Sequence, residues 1–253
     1  MSINPRPIVL SIAGFDPSGG AGLLADIKTI ESHKVYGLGV LTCSTLQNEL
    51  VFKEINWLET AYIKNQIKLL HQVSKIEVVK IGLVKSLKSL KKITQYLLEL
   101  NPFVKIIWDP ILSSSSGFVF HKKWNSNELY SVLEDLYLIT PNWEEIKMLF
   151  QESEPLEAAE ALSKYCPIFL KGGHNQLEKG VDYLFFNGKT TKYSLEKISN
   201  FQKHGSGCVL SSSIASNIAL GKTLEEACRK AKIYTLAFLE SSENLLGYHN
   251  MTK

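Results

Sequence analysis

Apolar residues fall along this chain in short blocks that alternate between two periods. Pro7-Ile8-Val9-Leu10-Ser11-Ile12-Ala13 is a nearly continuous apolar run ending at Gly14, as expected for a buried strand that feeds a loop. Beyond Asp16-Pro17-Ser18-Gly19-Gly20-Ala21-Gly22, the residues Leu23, Leu24, Ile27 and Ile30 repeat at helical spacing. The rhythm continues with a strand at Val40–Cys43, a helix over Ala61–Val73, a strand at Glu77–Gly82, a helix over Leu87–Leu100 and a strand at Val104–Pro110. Then follow a strand at Leu138–Pro141, a helix from Asn142, a helix over Ala158–Tyr165 and a strand at Ile168–Lys171. Val181–Phe186 and Thr190–Ser194 flank Asn187-Gly188 as an antiparallel hairpin, and helices over Gly207–Leu220 and Leu224–Glu240 close the pattern. The prediction is an α/β fold, with a mostly parallel central sheet, helices on both faces and the hairpin as an antiparallel edge. No repeat or composition break divides the chain, so one domain over residues 1–253 is expected.

Ligands of such sheets bind beyond the carboxyl ends of the strands. Gly14, Asp109, Pro141-Asn142, Lys171-Gly172-Gly173 and the loop before Gly205 all stand at those ends, which gathers them into one candidate site.

Composition narrows the chemistry. The chain is 45% hydrophobic and 21% charged, with a formal net charge of +3, too small for a nucleic-acid surface. Only Arg6 and Arg229 are arginines, so an anion site must rely on backbone amides, lysine and metal rather than guanidinium forks. Cys43, Cys166, Cys208 and Cys228 show neither paired spacing nor C-x-x-C, which argues against a disulfide framework or zinc and for a reducing compartment. No segment approaches the ~18 consecutive apolar residues of a membrane span, and a cytoplasmic location is expected.

The most informative segment is His204-Gly205-Ser206-Gly207-Cys208, which runs straight into a helix. Glycines at alternate positions let backbone N–H groups converge on an anion, and the helix adds unpaired amides and its positive dipole end. Cys208 on the first turn shares that field, so partial thiolate near neutrality is expected. Two look-alikes fail. Gly221-Lys222-Thr223 imitates a Walker A ending but has Ser216 where a glycine is required and follows a helix; Gly20-x-Gly22 lacks the third glycine of a dinucleotide fingerprint.

Taken with the last signature, Gly14-Phe15-Asp16-Pro17-Ser18-Gly19-Gly20-Ala21-Gly22 with Asp26 resembles bacterial hydroxymethylpyrimidine and phosphomethylpyrimidine kinases of the ribokinase-like superfamily. Thr42 through Gln47-Asn48, Lys80-Ile81-Gly82, Asp109-Pro110, Ile139-Thr140-Pro141-Asn142 with Glu145 and Lys171-Gly172-Gly173-His174 match in order, so the resemblance covers nearly the whole chain. It implies a ribokinase-like three-layer sandwich. The implied reaction is phosphorylation of 4-amino-5-hydroxymethyl-2-methylpyrimidine, then of its monophosphate, by MgATP in thiamine biosynthesis, on a homodimer. By position it assigns Gly14, Asp26 and Gln47 to the aminopyrimidine, Lys171, His204, Gly205, Ser206 and Gly207 to ATP, and Asn142, Glu145 and Asp109 to the neighbourhood of Mg²⁺. Cys208 becomes the base that takes the hydroxyl proton, with Gly205 and Gly207 supplying amides to the transferring group. Asn142 and Glu145 also fit a helix capping box, and His204 a structural hydrogen bond.

Phe15, Lys34, Leu112 and Lys203 depart from the usual pattern, and Lys34 suggests a helix that ends without its left-handed glycine cap. Phe15 and Leu112 bear on substrate choice, and pyridoxal or pyridoxine kinase is the alternative reading. Candidate lids are Val181–Ser194 and Ser113–Phe120.

Overall fold

The computed structural model describes residues 6–114, 117–120, 125–150, 154–175, 178–197 and 199–249; part of the Ser113–Phe120 candidate lid and the first five residues lie outside them. In chain order the elements are β1 (Ile8–Phe15), α1 (Gly22–Ser32), β2 (Tyr36–Gln47), β3 (Phe52–Trp57), α2 (Thr60–His71), β4 (Val78–Ile81), α3 (Leu87–Leu100) and β5 (Lys105–Trp108). There follow α4 (Ser126–Leu133), β6 (Leu138–Ile139), α5 (Trp143–Leu149), α6 (Pro155–Leu162), β7 (Ile168–Leu170), β8 (Asp182–Phe186), β9 (Lys189–Tyr193), α7 (Ser206–Ala219) and α8 (Leu224–Leu239).

The strands form one sheet in the order β3-β2-β1-β4-β5-β6-β7-β8-β9. The run from β2 to β7 is parallel, while β3 at one end and β8 and β9 at the other are antiparallel. Strand alternation sends side chains into two cores. Leu10, Ile12, Val79, Ile81, Ile106 and Trp108 pack with α2 to α6 on one face. Val9, Val78 and Ile107 pack with α1, α7 and α8 on the other. The order reverses at β1, whose neighbours β2 and β4 lie on opposite sides, and the crevice at that switch point is where such sheets hold ligands.

Two elements escaped the sequence pattern. In β3 the alternation is interrupted by a register shift between Leu46 and Gln47 on its partner, and the strand is an edge with three exposed residues. The eight-residue α4 is too short for its apolar spacing to repeat convincingly, although Asn125 caps it by accepting from the amides of Asn127 and Glu128. The candidate lid at Val181–Ser194 is instead the sheet's antiparallel margin, with β8 paired to β7 and Asp182 tied to Lys232 at 2.8 Å. Lys34 also corrects an expectation. It adopts the left-handed conformation (φ 60°) that a glycine cap would, with Arg6 Nε donating to its carbonyl.

Candidate active site

The two glycine-rich signatures are packed backbone against backbone. Gly205, the N-cap of α7, has φ 75°, and a Cβ there would lie 2.1 Å from the carbonyl oxygen of Gly20. Gly22 opens α1 at φ 58°, where a Cβ would stand 2.3 Å from the Gly14 oxygen. Only glycine satisfies both the sign of φ and the space at these positions. The consequence is that the N-termini of α1 and α7 meet at the carboxyl end of β1, bringing two positive dipole ends to one place.

Asp16 organises this junction. Its carboxylate accepts from the Ser18 amide and hydroxyl and from the Ala21 amide, and lies 2.8 Å from His204 Nε2. Burial alone would raise its pKa, but these donors, led by His204, hold it below the ordinary value. His204, expected at the nucleotide, is therefore 6% exposed and turned to Asp16, tying the first signature to the last.

Cys208 occupies the first turn of α7, 4% exposed, and its sulfur receives the amide of Gly22. Here the structure overturns the expectation of partial thiolate near neutrality. Burial pushes the thiol up to about 12, outweighing the lowering by the Lys80 ammonium and the Gly22 amide. Desolvation exceeds what one helix end and one cation return.

Beside the nest, Lys171 follows β7 and is almost fully buried. Its ammonium lies 2.7 Å from Asp109 Oδ1 and 3.4 Å from Glu145 Oε2. A Cβ on Gly207 would be 3.2 Å from the Lys171 nitrogen, so this cation borders the α7 entry directly. The other Asp109 oxygen accepts from Ser211 at 3.2 Å, one turn beyond Gly207. Burial works against the Lys171 charge, but the two carboxylates more than restore it and raise its pKa. Glu145 moves up as well, because burial and Asp109 outweigh the attraction of Lys171. Asn142 and Glu145 do form a capping box at the start of α5, with both reciprocal bonds present.

The aminopyrimidine set divides. Gly14 is buried at the end of β1, and Gln47 is half-buried at the end of β2, about 10 Å beyond the Phe15–Ser44 register at strand rise. Asp26 is different from what the sequence suggests. It is fully buried, with Lys80 on both oxygens (2.8 and 2.9 Å), Ser11 on one and Ser212 on the other. Such a saturated carboxylate presents no acceptor to a ring. Sequence reasoning gave Lys80 no role, yet a lone lysine inside Val78-Val79-Lys80-Ile81 was a signal that a buried carboxylate must stand opposite.

Comparison with known proteins gives the family of the chain. The family model described as phosphomethylpyrimidine kinase matches residues 16–253. The chain is 32% identical over 240 residues to a hydroxymethylpyrimidine/phosphomethylpyrimidine kinase of Staphylococcus aureus, covering 91% of this chain and 86% of that one. The crystal structure of phosphomethylpyrimidine kinase from Clostridium difficile superposes with a TM-score of 0.77 at 31% identity, covering 91% of this chain and 98% of that one. Pyridoxal kinase from Staphylococcus aureus in complex with AMP-PCP and pyridoxal superposes with a TM-score of 0.82 at 20% identity over 96% and 92% of the two chains, a likeness of fold. The paired glycine entries, the ribokinase-like layering and these matches agree, and the chain belongs to the phosphomethylpyrimidine kinase family, ATP-dependent phosphotransferases.

Proposed function

We propose that the α7 entry is where this chain carries out its family's reaction, the ATP-dependent phosphorylation of 4-amino-5-hydroxymethyl-2-methylpyrimidine and then of its monophosphate in thiamine biosynthesis. One observation carries the reading: a left-handed Gly205 wedged on Gly20 opens α7 at its amino end beside Lys171 and Cys208. Phosphoryl transfer asks mainly for positioning and for donors aimed at developing negative charge, and this entry supplies both. The Gly207 amide meets the transferring group, the Ser206 amide joins it by exchanging its 3.4 Å bond to the Lys203 carbonyl, and Lys171 adds a point charge. As the substrate oxygen bonds to the γ-phosphorus and the bond to ADP breaks, Cys208 takes the hydroxyl proton onto its sulfur. The sulfur can do so only as the thiolate, which burial, Asp26 and Asp109 oppose and which the Lys80 ammonium and the Gly22 amide favour. Gly14 and Gln47 face the ring.

Asp109, Glu145 and Asn142 carry hard oxygens of the kind Mg²⁺ takes, but no cluster among the described residues is arranged to ligate a metal directly and Lys171 neutralises part of their charge, so they would hold the ion only through bridging waters. The metal would supply charge neutralisation at the phosphates. A single domain, a homodimer and a cytoplasmic location complete the reading; among the described residues no helix is long and apolar enough to cross a membrane.

Mass spectrometry of products from the aminopyrimidine alcohol and MgATP tests it, with successive gains of one and two phosphates expected. Unchanged substrate contradicts the reading. A kcat/KM about tenfold higher for pyridoxal would transfer it to that vitamin instead.

A further inference from the structure

Ser11 and Lys80 are register partners on β1 and β4, at the switch point of the sheet. Each lies two positions beyond Val9 or Val78 on its strand, so both face the α1–α7–α8 layer, yet they are polar in an otherwise apolar face. Asp26 comes down on them from α1, and Ser212 reaches the same carboxylate from α7 at 2.8 Å. Ser212 lies one helical turn after Cys208, on the same side of α7. Four elements are thereby locked through one carboxylate immediately beneath the nest: β1, β4, α1 and α7.

Resting on the reading of Cys208 as the proton acceptor, we propose that Lys80 is a positioning residue for phosphoryl transfer. By donating to both oxygens of Asp26, which also accepts from Ser212, it fixes the Cys208 face of α7 against α1, and its ammonium supplies the positive charge that favours the sulfur once it is deprotonated. The charged groups acting on that sulfur are Lys80 from β4, Asp26 from α1, Asp109 after β5 and Lys171 after β7, together with the Gly22 amide. Lys80 makes the largest favourable contribution to the thiolate among them, and Asp26 the largest opposing one after burial. The pair thus has two separable effects, a mechanical one shared by both residues and an electrostatic one of opposite sign for each.

That opposition gives the test. Alkylation of Cys208 by iodoacetamide in the full chain, followed by mass analysis of the Cys208 peptide at fixed mildly alkaline pH, reads the thiolate fraction without ATP or pyrimidine. Lys80→Met is expected to slow alkylation about tenfold, Asp26→Asn to speed it, and Lys80→Arg to restore most of the wild-type rate. In turnover, Lys80→Met should lose about 100-fold in kcat with the KM for ATP nearly unchanged. Mere structural loosening exposes the sulfur in both variants, so parallel increases in alkylation, or no change in either, overturn the proposal. Where Lys80→Met does not fold, the double variant Asp26→Leu/Lys80→Met replaces the ion pair by an apolar one, and its alkylation must be slower than that of Asp26→Asn, since it differs in also lacking the ammonium. Turnover of Cys208→Ser separately tests the base assignment on which the catalytic half depends, so the two failures are distinguishable.

Discussion

Two lysine–carboxylate clusters lie on either side of the α7 entry, and they are built for different work. In the Lys80–Asp26 cluster both residues are wholly buried and the carboxylate oxygens are shared among Lys80, Ser11 and Ser212. In the Lys171–Asp109–Glu145 cluster one ammonium serves two carboxylates at unequal distances, 2.7 and 3.4 Å, and sits against a glycine that leaves it room. A closed ion pair of the first kind is fixed because removing either partner strands a buried charge. An unbalanced cluster of the second kind can exchange one of its contacts for a phosphate oxygen or a hydrated cation. Identical side-chain chemistry therefore gives a rivet in one place and a binding surface in the other.

The sharpest break of this comparison is substitution of each lysine in turn. Lys80→Met should cost about 3–5 kcal/mol of folding stability, read as a large fall in Tm. Lys171→Met should lower Tm less, because Glu145 already tends toward its protonated form and Asp109 keeps the attraction of Lys80 and the hydrogen bonds from Thr140 and Ser211. Its loss belongs in kcat/KM, about 10²–10³-fold, as for removal of one preorganised donor. If the two variants showed the same balance of stability and turnover loss, the distinction would fail.

A third, half-buried cluster sharpens the point at lower energy. His249, close to the chain's end, lies 3.3 Å from both Thr29 Oγ1 and the Tyr234 hydroxyl, while His33 contacts Ser213 and the Thr29 carbonyl. Burial, reinforced by Lys28 and His33, drops the His249 pKa from 6.5 to about 4, and burial lowers His33 too. The fold thus prefers the neutral rings. Their contribution is complete above the ordinary value and is lost as pH falls from 6.5 toward 4. Denaturant melts should show this decline, and His249→Gln should flatten it; an unchanged slope would dissociate the ring from acid sensitivity. The smallest expected effect is at Lys34, where a glycine suits the left-handed backbone better and should raise stability by about 1 kcal/mol.

The difference between the two lysine clusters also marks how far the sequence could be read. The alternating periods located every parallel strand and most helices, because burial on both sheet faces writes itself into composition. Edge strand β3 and short α4 are weakly marked for the opposite reason, being partly solvated. Glycine signatures announced the site, since φ above zero and close backbone approach demand that residue type. Partner choice was another matter. Nothing in the spacing of Asp26 and Lys80 shows that a strand and a helix bring them together, and a motif aspartate was read as facing substrate when it faces a lysine. For Cys208 the helix field was legible but its desolvation was not, because that depends on what α1 and β4 lay over the sulfur.

Steady-state kinetics of Cys208→Ser, with the amides and both lysines intact, bear most directly on the assignment of chemistry to the α7 entry. A loss of about 100-fold or more in kcat, with KM for ATP and for the pyrimidine alcohol close to wild type, is the predicted result. Turnover at the wild-type rate would show that the sulfur takes no proton, and would leave the glycine-lined entry as an anion seat alone.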